Sequence, residues 1–358
     1  MNFDLNFFPA NPRILLVRLR SIGDVTLSTA VFPPIKERFP DGKLDYVVIS
    51  PNQVLVEGNP HLNEIIMLEG PGPLAFLKLI KRLRKKNYDL VIDLHGGPRS
   101  GLITALTKAR FKAGLARSRR SGFYNVTVDP VFDRSVPAVR FQNRMLELLG
   151  FTIRQEVPKI YITRDETESM AQRLEAMEIR SEYAVIHPGV DSLHNEWQAE
   201  KFSEVADALQ SSGGINTVFA SAPNQTRQVE DILVKMKTPG HSLAGETTLR
   251  EFAALVNNAK FLFCHNSGPM HIAAALGTPV FALFGSVAPE RWIPQVEPHH
   301  VFYKNIECSP CIRSTRKSEC FSGNAECKRL ISAGEVIEAI GRKLNLPSLI
   351  TPSQAHRD

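Results

Sequence analysis

Two stretches of this 358-residue chain carry residue types that can do chemistry. The first is Asn266–Gly285, NSGPMHIAAALGTPVFALFG. A strand-like run, Phe261–Cys264, leads into it. Asn266, Ser267 and Gly268 form a small polar turn, and Pro269 stands at a first-turn position. A small-residue helix follows, up to a break at Gly277–Pro279. A strand, a tight glycine turn and a helix with proline near its start leave backbone N–H groups open at the carboxyl edge of a sheet. Such a start favours an anion, and a diphosphate in particular. His271 stands in the first turn, within reach of the same anion; as a lone histidine it also suits a core position. The second stretch is residues 19–24, LRSIGD, which follows a first strand. Asp24 there can take a proton from a hydroxyl. It can equally cap the helix that begins at Val25.

The elements that must position these residues alternate along the chain. Ile14–Arg18 reads as a strand and Val25–Phe39 as a helix. Further strands are expected at Leu44–Ile49, Glu64–Leu68 and Leu90–Leu94. Between the last two, a basic helix, Pro73–Asn87, carries Leu74, Leu77, Ile80 and Leu83 on one face. A helix over Phe141–Leu149 ends at Gly150. After a connecting stretch the pattern restarts. Helix Asp165–Met177, strand Tyr183–Ile186, helix Ala199–Ser211, strand Asn216–Ala220 and helix Leu249–Asn257 precede the glycine turn, and helix Ala333–Leu344 closes the chain. Continuous apolar strands between helices predict parallel sheets covered on both faces. The fold class is therefore α/β, with two Rossmann-like domains facing each other over a cleft. The expected division is a lead-in over 1–12, a domain over 13–162, a second over 163–345 with a Cys-rich loop at 306–328, and a tail over 346–358. No G-x-G-x-x-G follows the first strand, which counts against an NAD or FAD enzyme.

A chain of this length exceeds one ordinary core, and 43% apolar with 22% charged residues is an ordinary globular balance. The first residues have neither a basic start nor a long apolar run and read as a loosely held lead-in, so a cytoplasmic protein is expected. The net charge of +6 is uneven: residues 71–120 hold 13 Lys and Arg against two acids, Asp89 and Asp93. That is either a solvated helix face or a patch for an anionic partner, a phosphorylated acceptor or a membrane surface. Nucleic acid is disfavoured, because aromatic residues are not interleaved with the charges. Cys264 reads as core. Cys308, Cys311, Cys320 and Cys327 lie at a spacing that suits a structural zinc, or less well an iron–sulfur cluster.

The motifs VRLRSIGDVTLSTAVFPPIKERFP, YDLVIDLHGGPRSGLIT, VIHPG with HNEWQAEKFSEVA, and CHNSGPMHIAAALGTPVFALFGSVAPERWIP tile most of residues 13–340. With them the chain resembles glycosyltransferase family 9, the heptosyltransferases of lipopolysaccharide core assembly. The resemblance implies a GT-B fold, the acceptor on the first domain and a nucleotide-sugar such as ADP-heptose on the second, with inverting transfer that needs no metal. It implies Asp24 as the catalytic base. Arg18, Arg20 and Arg99 fall on the acceptor side with Ser21 and Gly23 of the same turn. On the donor side it implies the diphosphate at Ser267–Gly268 beside Asn266 and His271. Gly189, Val190 and Thr247 line the rest of that site, while Trp197 reads as a wedge beneath the loop. The chain departs from the family pattern at three places. Asn195, Gln225 and Asn266 are neutral amides where the family carries lysine, glutamate and aspartate, so hydrogen bonding is kept and charge is lost. The acceptor would be an anionic glycolipid reached by peripheral contact with the inner membrane. The competing readings are a non-catalytic nucleotide-sugar binder and a sugar-nucleotide epimerase.

Overall fold

The computed structural model describes residues 3–119, 121–130, 135–190, 196–294, 296–311, 320, 323 and 325–350. The chain divides into two compact units, Met1–Tyr161 and Ile162–Asp358.

The first unit is built on a six-stranded, wholly parallel sheet. Its strands are β1 (Arg13–Val17), β2 (Lys43–Ile49), β3 (Glu64–Leu68), β4 (Leu90–Asp93), β5 (Phe111–Leu115) and β6 (Val126–Val128), in the order β3-β2-β1-β4-β5-β6. Ile14, Leu15, Leu16 and Val17 are all buried, as a central strand covered on both faces must be. Val17 pairs with Val47 on one side and Asp93 on the other, which brings the carboxyl ends of β1, β2 and β4 to one edge.

The single helix expected after β1 is three pieces: Ile22–Ser28, a 3₁₀ turn at Thr29–Val31, and Phe32–Arg38. Pro33 and Pro34 cause the break, since proline lacks the N–H that would continue the ladder and crowds the preceding turn. The first piece starts at Ile22 with Ser21 in the cap position, so Asp24 lies inside the first turn and is not the cap. A second correction concerns helix Pro73–Lys85. Its buried stripe is Leu79, Ile80 and Leu83, with Phe76 packed alongside, whereas Leu74 and Leu77 are 73% and 61% exposed. The lead-in is also held: Leu5 is buried, and Phe8 packs on Phe39 and Phe111.

The second unit repeats the plan with β7 (Tyr183–His187), β8 (Asn216–Phe219), β9 (His241–Ser242), β10 (Leu262–His265), β11 (Val280–Leu283) and β12 (His299–Phe302), ordered β12-β11-β10-β7-β8-β9. Its core joins Phe261, Phe263 and Phe281 of the sheet region to Phe202, Val205 and Leu209 of helix Ala199–Ser211 and to Val336 and Ile340 of helix Ala333–Lys343. Leu349 belongs to this core too, so packing runs beyond the expected start of the tail.

Both sheets have the doubly wound order in which chain direction across the sheet reverses once. That reversal falls between β1 and β4 in the first unit and between β7 and β10 in the second. Ligands of such folds bind beyond the carboxyl ends of the strands at the reversal.

Candidate functional site

At the first reversal the carboxyl end of β1 delivers Arg18 and, one turn into the following helix, Asp24. The Arg18 guanidinium meets the Asp24 carboxylate at 2.6 Å, and their side chains are 12% and 33% exposed. Ser21 Oγ donates to the other carboxylate oxygen at 3.2 Å, and Arg18 Nη1 donates to the Leu94 carbonyl at the end of β4. Asp24 is thus a half-buried acceptor fixed from two sides, on the first turn of a helix whose dipole favours a negative charge. Arg18, expected to meet acceptor phosphates, is instead engaged with Asp24 and the β4 edge. Arg99, likewise expected there, donates to the Gly70 and Pro71 carbonyls at 3.2 Å each. Arg20 and Ser21 are exposed beside the same turn and Gly23 is half-buried.

Sequence reasoning missed two residues here. Asp93 is fully buried; it accepts from the His95 and Gly96 amides at 2.9 Å each and from the Tyr124 hydroxyl at 2.8 Å, shaping the turn after β4. The half-buried His95 is held below its ordinary pKa, chiefly by burial and then by Arg18, against the pull of Asp93 and Asp24. Its Nδ1 has no hydrogen-bond partner among the described residues. The signal was in the sequence, as an Asp-x-His ending a strand, but a strand-end aspartate has no marker separating turn-building from catalysis.

At the second reversal, β10 ends at His265 and helix Gly268–Leu276 begins three residues later. Ser267 is its cap residue in extended conformation, yet its hydroxyl donates to the His265 carbonyl at 3.2 Å instead of capping the helix. No side chain of the cap therefore competes for the first-turn amides. Asn266 is fixed by its own amide, which donates to Leu283 at 3.0 Å. Gly277 at φ 82° ends the helix in the left-handed conformation that glycine tolerates. His271 is 7% exposed, its ring edge-on to Trp292 at 5.9 Å.

Gly189 and Gln225 come together beside this turn. A Cβ on Gly189 would stand 2.1 Å from Gln225 Oε1 and 3.0 Å from His187 Cε1, so the buried amide lies directly over the glycine. Val190 is half-buried next to it, and Thr247, also half-buried, directly precedes the Thr248 cap of helix Leu249–Asn257. Asn195 lies outside the described residues. Trp197 is a wedge: it is buried, donates from Nε1 to the Ile331 carbonyl at 3.0 Å, and packs edge-on to Phe202 and Phe263.

Three further buried groups here were not anticipated. His187 ends β7 fully enclosed, which pushes its pKa down to about 4. His265 is driven well below the usual range by burial, with Lys328 and His187 adding to it. Lys328, 4% exposed, contacts His265 Nδ1 through Nζ at 3.0 Å, and burial lowers its pKa to about 7.

No disulfide joins the five cysteines. Among the described residues no group of three or more His, Cys, Asp or Glu side chains is arranged to hold a metal ion. Cys311 Sγ lies 3.9 Å from the Ser286 carbonyl, and burial raises the Cys327 thiol.

Comparison with known proteins gives these two edges a context. The model of glycosyltransferase family 9 (heptosyltransferase) matches residues 76–322. The lipopolysaccharide heptosyltransferase 3 of Escherichia coli K12 is 31% identical over 78% of this chain and 84% of its own. Among solved structures, a family 9 glycosyl transferase from Veillonella parvula superposes with a TM-score of 0.81 at 23% identity, covering 93% of this chain and 97% of that one. The E. coli ADP-heptose lipopolysaccharide heptosyltransferase II does so with a TM-score of 0.76 at 22% identity, over 93% and 98%. The fold is thus the α/β GT-B type, and the named relatives are transferases, not binders or epimerases. With the family model matching more than half of its length and this level of identity to a curated member, the chain belongs to glycosyltransferase family 9.

Proposed function

We propose that the protein is an inverting transferase that moves a heptose, or a related sugar, from a nucleoside-diphosphate sugar such as ADP-heptose to a hydroxyl of a lipopolysaccharide-core or similar glycan. The acceptor oxygen forms the new bond to the anomeric carbon as the bond to the diphosphate breaks. The hydroxyl proton passes to Asp24, and the diphosphate leaves with the electron pair. The amides at Ser267–Gly268 and His271 take up that charge. Asn195, Gln225 and Asn266 hold sugar and ribose hydroxyls as neutral partners, with Gly189, Val190 and Thr247 lining the same site. Exposed Arg20 is the group best placed for an acceptor phosphate, while Arg18 orients the base.

The observation that carries this reading is the Asp24 carboxylate, gripped by Arg18 at 2.6 Å yet one-third exposed at the carboxyl end of β1. Asp24→Asn, which keeps the shape, should lower kcat on the order of a thousandfold and leave ADP binding within about twofold, because that binding belongs to the other unit. Full turnover in the variant would remove the base assignment.

The reaction so written needs no metal. For a structural zinc on Cys308, Cys311, Cys320 and Cys327, metal analysis of the purified protein is the direct reading, and zinc below a tenth of an equivalent would end the idea. We place the enzyme in the cytoplasm, touching the inner face of the membrane that carries its acceptor. Among the described residues no helix is long and apolar enough to cross a membrane. Helix Pro73–Lys85 supports contact from one side, since Leu74 and Leu77 stand out of the protein beside exposed Lys78, Lys81 and Lys85. Leu77→Ser with Lys81→Glu should weaken binding to vesicles containing anionic lipid by about tenfold; unchanged co-sedimentation would refute this contact.

A further inference from the structure

Four of the loops at the carboxyl edge of the second sheet contain no fixed positive charge, whereas the loop after β12 carries Lys304, which is paired with Glu335 at 2.8 Å. Residues 187–198 after β7, 220–225 after β8, 266–269 after β10 and 284–290 after β11 include no lysine or arginine. Of the cations next along the chain, Arg227 is exposed and Arg291 stacks over the Trp292 ring at 5.4 Å. Around the turn proposed to take a diphosphate, these four loops thus offer amides and imidazoles but no permanent cation.

A cation reaches it from elsewhere. Lys328 sits on the short helix Glu326–Arg329, and its stem lies along the backbone that leaves β11: a Cβ on Gly285 would stand 3.1 and 3.3 Å from Lys328 Cγ and Cε. Its ammonium ends at His265 Nδ1, 3.0 Å away, on the last residue of β10. With Lys328 as donor, the imidazole proton resides on Nε2, a buried atom with no partner among the described residues. The same residue's carbonyl accepts from Ser267, the residue whose amide opens the diphosphate turn. His187, Cys264, Cys327 and Glu196 are the other titratable groups acting on Lys328 or its imidazole partner, and Glu196 is itself hydrogen-bonded by Gln228. Lys328 and His265 are both at least nine-tenths buried, so a charge there is little screened by water or salt.

We propose that Lys328, in its protonated form, supplies the positive charge that these four loops lack, acting through His265 on the Asn266–Ser267 turn, and thereby sets affinity for the diphosphate portion of the donor. This makes Lys328 a positioning residue, and the inference rests on the assignment of that turn to the donor diphosphate. The charge acts from beneath the turn, where it strengthens the amide cradle without occupying space the ligand needs.

The experiment compares ADP with adenosine as probes, by titration calorimetry on the full chain. Lys328→Met keeps the length of the stem and removes the charge. It should weaken ADP binding on the order of tenfold to a hundredfold and leave adenosine binding within about twofold, since adenosine carries no phosphate. Lys328→Arg should restore most of the ADP affinity. Thermal unfolding of each variant shows that the unit is folded. Equal losses for ADP and adenosine, or undiminished ADP binding by Lys328→Met, would overturn the inference while leaving the diphosphate site in place. A wild-type protein that binds none of ADP, GDP, UDP or CDP would instead remove the site assignment itself, and this inference with it.

Discussion

The edge at β1 and β4 and the edge at β7 and β10 are made by one topology and opposite chemistries. The first is worked by charged side chains: the Arg18–Asp24 pair, with His95 and buried Asp93 beside it. The second is worked by main chain and by neutral or hidden groups. A helix start whose cap side chain leaves the first-turn amides unbonded, a glycine overlain by Gln225, two enclosed histidines and one buried lysine are its components. The strand order fixes only where a ligand can come to rest. What the ligand meets there is decided by one or two residues at each strand end. A proton acceptor must be partly wet to exchange its proton, and the one-third exposure of Asp24 meets that condition for the role proposed for it. A diphosphate cradle gains from being dry, because amide dipoles act more strongly where water is excluded.

The comparison breaks most visibly if the two edges fail to separate rate from binding. The roughly thousandfold loss in kcat expected for Asp24→Asn is the largest effect, and it must come with intact ADP affinity. A variant at the first edge that also lost nucleotide binding would show that the chemistries are not divided in this way.

Acid stability sharpens the contrast at an intermediate size. His187 has a folded pKa of about 4 against 6.5 when unfolded, because burial penalises its charged form. Its folded value is depressed, so the stability it leaves intact is fully present above pH 6.5 and is lost as pH falls towards 4, where the unfolded chain binds the extra proton. The shift is worth about 3 kcal/mol across that window. Denaturant unfolding at pH 7 and pH 4.5 should therefore show a drop in the second unit that His187→Leu reduces by about 2 kcal/mol. Carboxylates contribute alike to both proteins and cancel in the difference. An identical pH slope in wild type and variant would mean that His187 is charged in the folded state.

How much of this was readable beforehand follows the same division. Helices Ala199–Ser211 and Leu249–Asn257 were legible to the residue, because a 3.6-residue apolar stripe and a capping Thr248 mark them. Strands β1, β4, β7 and β10 were legible within a residue or two as unbroken apolar runs. Strands β5 and β6 were not: Phe111–Leu115 is interrupted by Lys112 and Gly114, and the glycine is required because Tyr124 packs where a Cβ would be, 2.4 Å away. Leu74 and Leu77 were grouped on one face with Ile80 and Leu83, since a helix with apolar residues on two faces offers no sign of which face meets the sheet. At the sites, Asp24 and the Ser267 turn stood out because both sit at strand-to-helix junctions with small residues. Lys328 could not be seen: it lies 60 residues and more from the turn it serves, in a polar stretch where a lysine reads as surface.

Gly189 tests the second edge at its finest grain. Its backbone is not in the left-handed region, so glycine is needed there for space and not for conformation. Alanine would place a methyl group 2.1 Å from Gln225 Oε1, 2.8 Å from Gln225 Cδ and 3.0 Å from His187 Cε1, so the Gln225 side chain has to move and the His187 ring to give by a few tenths of an ångström. The fold should survive, with the melting temperature within about 2 °C of wild type. Gln225, however, must leave its place over the glycine, and any hydrogen bond it gives the donor goes with it. Affinity for ADP-heptose should fall about tenfold, the worth of one hydrogen bond to a buried amide. In a Gln225→Ala background the same Gly189→Ala change should cost little further, because the contact with Gln225 is gone and only the close approach to His187 remains. Additive losses in that cycle would show that Gly189 meets the ligand directly and that Gln225 is a bystander packed against it.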